Sequence, residues 1–165
     1  MKQLGSTGIK VLKSCHLIFV MIWVVGVVAM AVVNVISPQS GDEMYMALYV
    51  NRIIDDVLVI PGAMLTVVTG IVYGVFTKWG FFKHRWITVK WIMSIAIIIA
   101  GTFYFNPIHL HLLEVADLTR DAALNDSSLA TDKQINFIGA FIQSALLIFL
   151  IVISVFKPWK KKKAS

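Results

Sequence analysis

The side chains best able to do chemistry in this chain fall into two sets. The first is His16, Trp23, His84, Arg85 and Lys90. His16 begins a long apolar run, and Trp23 follows seven residues later at almost the same helical angle. Met30 lies close to that line and Asn34 returns to it, so one face carries an imidazole, an indole, a thioether and a carboxamide. A neutral imidazole is the commonest biological metal ligand and holds haem iron axially. Lys83, Arg85 and Lys90 are cations able to pair the propionates of a haem b. The same residues also suit plain packing, with His16 bonded to a neighbouring helix and Lys90 snorkelling to the interface. The second set is Arg52, Asp55, Asp56, His109 and His111, with Asn34 and Tyr45 near it. His109 and His111, with Met44 and Met46, form a soft-ligand combination suited to copper. Residues i and i+2 of a helix point apart, however, so the two share an ion only on extended or irregular backbone. Arg52, Asp55 and Asp56 read either as an ion-paired structural cluster or as a proton relay.

Such residues must be positioned by helices in a membrane. Of 165 residues, 58% are apolar and 15% charged, a balance that excludes an ordinary soluble domain. Four apolar runs, roughly 14–36, 53–77, 86–106 and 134–156, are each long enough to span a bilayer. The fold class is therefore all-α: a single integral membrane domain over residues 1–165, folded as a four-transmembrane-helix up-down bundle. Lys2, Lys10 and Lys13 resemble the start of a signal peptide, but the apolar run continues to Ile36, further than such a segment should, and reads as a retained span. Lys2, Lys10, Lys13, Lys78, Lys83, Arg85, Lys157 and the Lys160 to Lys163 run all fall at one end, whereas the nine acids fall in or beside the other two loops. Positive residues stay inside, so both termini are expected to be cytoplasmic. The net charge of +6 is thus a topology signal rather than a nucleic-acid footprint, and the lysine run belongs at anionic headgroups.

Local signals set the expected boundaries. Ser37-Pro38-Gln39-Ser40-Gly41 is a turn, Pro61-Gly62 should kink the second span, and Asn106-Pro107 should end the third. Outer loop 107–133 should carry a short amphipathic surface helix, and Thr131-Asp132-Lys133-Gln134 reads as a capping box that starts the fourth span. Gly62, Thr66, Gly70 and Gly74 recur every fourth residue, a ridge on which another helix can approach closely. Asn136, Gly139 and Gln143 share one face of the fourth span. The lone cysteine, Cys15, excludes an intrachain disulfide, and neither a CxxCH haem-attachment motif nor a nucleophile, phosphate-loop or zinc-protease motif is present.

His16, Trp23 and Gly26, then Pro61, Leu65, Thr66 and Gly70, then Trp86-Ile87-Thr88-Val89-Lys90 stand in the order seen in a known superfamily. In its first three spans the chain resembles HemJ-type protoporphyrinogen oxidases and the related CopD-like proteins. The HemJ resemblance implies a b-type haem bundle with His16 as an axial ligand of the iron and Lys90 as an essential intramembrane charge. The CopD resemblance implies copper handling. HemJ-type third spans carry a further histidine beyond the lysine, where this chain reads Gly101-Thr102-Phe103-Tyr104. A second axial ligand would then be His84 or be absent. The expectation is a multi-pass protein of the bacterial cytoplasmic membrane that binds haem b in electron transfer or haem handling, with a redox partner and room for homo-oligomers in the bilayer. The alternatives are copper handling through His109 and His111, or a structural subunit without a cofactor.

Overall fold

The structure, a computed structural model, describes residues 3–77 and 80–158. Lys2, Lys78, Trp79, Trp159 and the lysine run that follows lie outside the described residues. Four rods long and apolar enough to cross a membrane make up the chain. The first is helix α1 (Ser6–Val33), whose 28 residues reach roughly 42 Å. It begins well before the apolar run and ends at the Asn34 cap, just ahead of the Ser37-Pro38 turn. The second rod joins α2 (Gly41–Ile54), a π-helical turn (Asp55–Val59) and α3 (Ile60–Phe76). The third joins α4 (Arg85–Ala100), a second π-helical turn (Gly101–Phe105) and α5 (Asn106–Thr119). A short helix, α6 (Asp121–Asn125), and a 3₁₀ turn (Ser127–Leu129) lead into the last rod, α7 (Ala130–Phe156).

Three boundaries differ from those expected. The second span does not begin near Arg52, because the helix runs without a break from Gly41. The third does not stop at Asn106-Pro107 but continues to Thr119, which replaces half of the expected outer loop with helix. Both rods pass their prolines in the same way. In each rod a wide turn precedes the proline: Ile60 N–H reaches back five residues to the Asp55 carbonyl, and Asn106 N–H reaches the Gly101 carbonyl. The extra residue per turn gives the pyrrolidine ring room, and each proline sits in the first turn of the next α-helix, where its missing N–H costs least. The third difference is the start of α7. Asp126, rather than a capping box at Thr131, takes up the free amides: its Oδ1 accepts from Ser128 N–H at 2.7 Å and from the Ser128 hydroxyl at 2.6 Å. Thr131 to Gln134 already lie within the helix.

The rods run up and down. Leu4 N–H donates to the Phe76 carbonyl at 3.1 Å, and the Lys157 ammonium lies 5.9 Å from the Trp86 ring centre. The N-terminus, the α3–α4 loop and the end of α7 therefore meet at one end, the basic end. At the other, acidic end Gly41 N–H donates to Asp121 at 2.6 Å, and Arg120 covers the Tyr45 ring while bonding Asp117 at 2.7 Å. Two apolar cores fill the bundle. Trp23, Val27, Ala63, Ile97, Leu147 and Leu150 form the mid-bundle core. Met44, Leu48, Leu112, Ala116, Ala123 and Leu129 form a second core where α2, α5 and α6 cap the acidic end. Met21, Ile92 and Val155 are more than 60% exposed on the outer faces. So much outward apolar surface has lipid, not water, as its solvent.

The α1–α3 crossing is close. A Cβ on Gly62 would stand 2.7 Å from the Trp23 backbone nitrogen, and one on Gly26 would stand 2.8 Å from Val59. The four-residue ridge thus does bring a helix in: Gly62 meets Trp23, and further along Gly70 faces Trp91 and His16.

Candidate functional site: the His16 face at the basic end

His16 is half-buried between α1 and α3. Its Nδ1 lies 2.7 Å from Thr69 Oγ1. That hydroxyl has a single proton, and the Leu65 carbonyl at 2.7 Å takes it, with the Thr66 carbonyl at 3.1 Å beside it. A carbonyl can only accept, so Thr69 donates to the backbone and accepts from His16 Nδ1–H. The neutral ring then carries its lone pair on Nε2. This is the arrangement found behind metal-ligating histidines, whose other ring nitrogen is held by a hydrogen bond that sets tautomer and direction. Tyr73 meets the imidazole edge-on at 5.7 Å. Trp91 packs against Gly70 next to it. The Thr66 hydroxyl is buried nearby without a hydrogen-bond partner.

Lys90, half-buried on α4, is close enough to act electrostatically on His16. Among the described residues it has no hydrogen-bond or ion-pair partner. A cation in a span with no protein counter-charge among the described residues marks a candidate functional site, since its burial is costly. The shared depth of His16 and Lys90, expected from sequence, is therefore met. Trp23 is elsewhere: it is 3% exposed in the mid-bundle core, seven residues and roughly 10 Å along α1 from His16. His84 lies at the head of α4 with its ring stacked on Trp86 at 6.2 Å, and Arg85 next to it is exposed. Sequence reasoning missed Thr69, Tyr73 and Trp91 as members of this site. The available signal was Thr69 itself, three residues after Thr66 on the small-residue face.

The acidic-end histidines separate. His109 is 5% exposed; its Nε2–H donates to the Leu48 carbonyl at 3.1 Å, which leaves Nδ1 to accept from Asn136 Nδ2 at 3.0 Å. His111 is on the exposed side, 3.0 Å from Asp132. Residues 106–119 are regular α-helix, so the i, i+2 pair diverges as helix geometry requires. Met44 is buried and Met46 exposed, so the methionines diverge as well. Among the described residues no three His, Cys, Asp or Glu side chains converge as a metal site. Within the Arg52, Asp55 and Asp56 grouping the ion pair is Arg52 with Asp56, at 2.8 Å from Nε, and Asp55 stands outside it. His109 is instead a strut between α2, α5 and α7. Asn136→Leu would leave its Nδ1 unpaired in the interior, and the expected cost is about 1–3 kcal/mol, read as a lower thermal midpoint in detergent. An unchanged midpoint would mean that water already serves that nitrogen.

Compared with models of known protein families, with curated proteins and with solved structures, the chain matches none of them.

Proposed function

We propose that this is a multi-pass protein of a bacterial cytoplasmic membrane that binds haem b at its basic end through His16 and serves electron transfer or haem handling. The observation that carries the reading is the Thr69–His16 hydrogen bond, which fixes a half-buried imidazole inside a helical bundle and, with Nδ1–H donating, makes Nε2 the candidate ligand nitrogen. Lys90, without a protein counter-charge, suits a propionate, and Lys83 and Arg85 at the same end add positive charge. The resemblance to HemJ-type proteins points the same way, with His16 and Lys90 in the two roles that it implies. Bound there, haem would supply a one-electron couple at iron. The chain's own part is to hold the iron with His16, fix that ring with Thr69, and balance charge with Lys90. His84 is the candidate for a second axial ligand. The visible absorption spectrum of the purified protein tests the reading: a Soret band that follows His16 supports it. Copper handling loses its geometric basis once His109 is used on both nitrogens and His111 faces away.

The reading places haem near the cytoplasmic surface, because the basic end should be inside. In a Cys15→Ser background, cysteines placed at Ser127 and Ser165 are expected to react with an impermeant maleimide from opposite sides, Ser127 from outside. Outside labelling at Ser165 would reverse the orientation.

A further inference from the structure

The acidic half of the bundle holds a cavity of about 70 Å³ that the haem reading does not use. A space of that size takes a few waters or a small ion. It lies between the two apolar cores and has walls from all four rods. Both π-helical turns face it, through Asp55 and Val59 in one and Gly101 and Phe105 in the other. Its polar lining is Asn34, Asp55, Asn106, His109, Asn136 and Gln143.

The charges around it do not balance. Arg52 is bound to Asp56 at 2.8 Å and donates to Asn106 Oδ1 at 2.9 Å. His109 is neutral, its one ring proton spent on the Leu48 carbonyl. Asp55 has no hydrogen-bond or ion-pair partner among the described residues. Arg52 thus sets one positive charge against the two carboxylates of Asp55 and Asp56, and an ionised Asp55 in the wall of a cavity inside a span is costly unless a second positive charge joins it.

The free acceptors say which one. Asn34 Oδ1 accepts from Asn51 Nδ2 at 2.7 Å and keeps a second lone pair, as does Asn106 Oδ1 beside Arg52. Gln143 Oε1 stands at the Gly101 wall, 3.6 Å from where a Cβ would be. These are neutral hard oxygens with one carboxylate. The imidazole lone pair is taken by Asn136, and Met30 is the lone soft donor in the lining, so transition metals are poorly served. A divalent ion would overshoot the charge and prefers more carboxylates. We propose that this cavity binds one alkali cation of sodium size, held by the Asp55 carboxylate with the amide oxygens of Asn34, Asn106 and Gln143.

The site is independent of the haem reading, and the test keeps them apart. Thermal unfolding of the full chain in detergent is compared in sodium chloride and in choline chloride at equal ionic strength and pH 7. Saturating sodium should raise the wild-type midpoint by about 5 °C, since a ligand that binds only the folded state stabilises it. Magnesium chloride should not substitute. Asp55→Asn, nearly isosteric, should unfold at the same midpoint in both salts, while His16→Ala should keep the sodium shift whether or not it holds haem. Equal wild-type midpoints in the two salts would overturn the proposal, as would a sodium shift that survives Asp55→Asn. A wild-type midpoint that rises in choline chloride on acidification, with no response to sodium, would assign the positive charge to a proton and overturn it equally.

Discussion

His16→Ala is expected to purify colourless from cells, amply supplied with haem, in which the wild type purifies with a Soret band. Loss of an imidazole that holds the iron would remove the bond on which the proposed haem site depends. The supporting variants separate ligation from packing. Thr69→Val keeps the shape and removes the acceptor of Nδ1–H, so His16 should bind about 10–100-fold more weakly without losing its place. Lys90→Met should retain haem but move its reduction potential, because a nearby charge tunes the couple. His84→Ala distinguishes a ligand from a loop residue: a change from six-coordinate low-spin to five-coordinate high-spin iron assigns it the second position, and an unmoved spectrum leaves it stacked on Trp86. A colourless wild type, or a full haem spectrum in His16→Ala, would remove the haem reading altogether.

How far the chain could be read beforehand depends on what kind of signal each feature sends. Four spans and their up-down order follow from apolar run length and from the sorting of Lys and Arg to one end, both properties summed over many residues. The register of His16 with Lys90 was also legible, because each lies close to the same end of its helix. The third span runs past Asn106-Pro107 because a wide turn before Pro107 absorbs the ring, as one does before Pro61, and the second span begins ahead of Arg52 because the polar stretch from Gly41 is itself helical. The repeated spacing, six residues from the first residue of each π turn to its proline, is visible in the sequence only after the turns are seen. The acidic-end grouping of Arg52, Asp55, Asp56, His109 and Asn34 was foreseen in outline. Its amides from the other rods, Asn106, Asn136 and Gln143, could not be joined to it from one sequence, because an amide in a span looks the same whether it packs or lines a cavity. His111 was placed with His109 on sequence nearness alone, and regular helix geometry sends it to the opposite side.

Gly62→Val should be among the most damaging single changes, and it should damage the proposed haem site without touching it. A Cβ at Gly62 meets backbone atoms of α1, the Trp23 nitrogen at 2.7 Å and its Cα at 2.9 Å, and backbone cannot swing aside as a flexible side chain can. Gly26 makes the reciprocal approach to Leu58 and Val59, so the two helices are locked by glycine on both sides. Adding one methyl there is expected to cost about 1–3 kcal/mol, and a β-branched side chain more, through displacement of the helix and disruption of the core around Trp23. His16 lies seven residues before Trp23 and Thr69 seven residues after Gly62, so the His16–Thr69 bond uses the same antiparallel register two turns along. Forcing the crossing apart should therefore lengthen that bond and weaken haem retention together with stability. Two controls locate the effect. Gly5→Ala has nothing within 4 Å, so it should cost only the difference between glycine and alanine as the N-cap of α1. Gly70→Ala meets the Trp91 ring at 3.3 Å, a contact that a half-buried side chain can relieve, and should cost less than Gly62→Ala. Thermal midpoints in detergent, with haem content measured on the same samples, rank the four variants, and a Gly62→Val protein as stable as the wild type would show that α1 and α3 do not cross here.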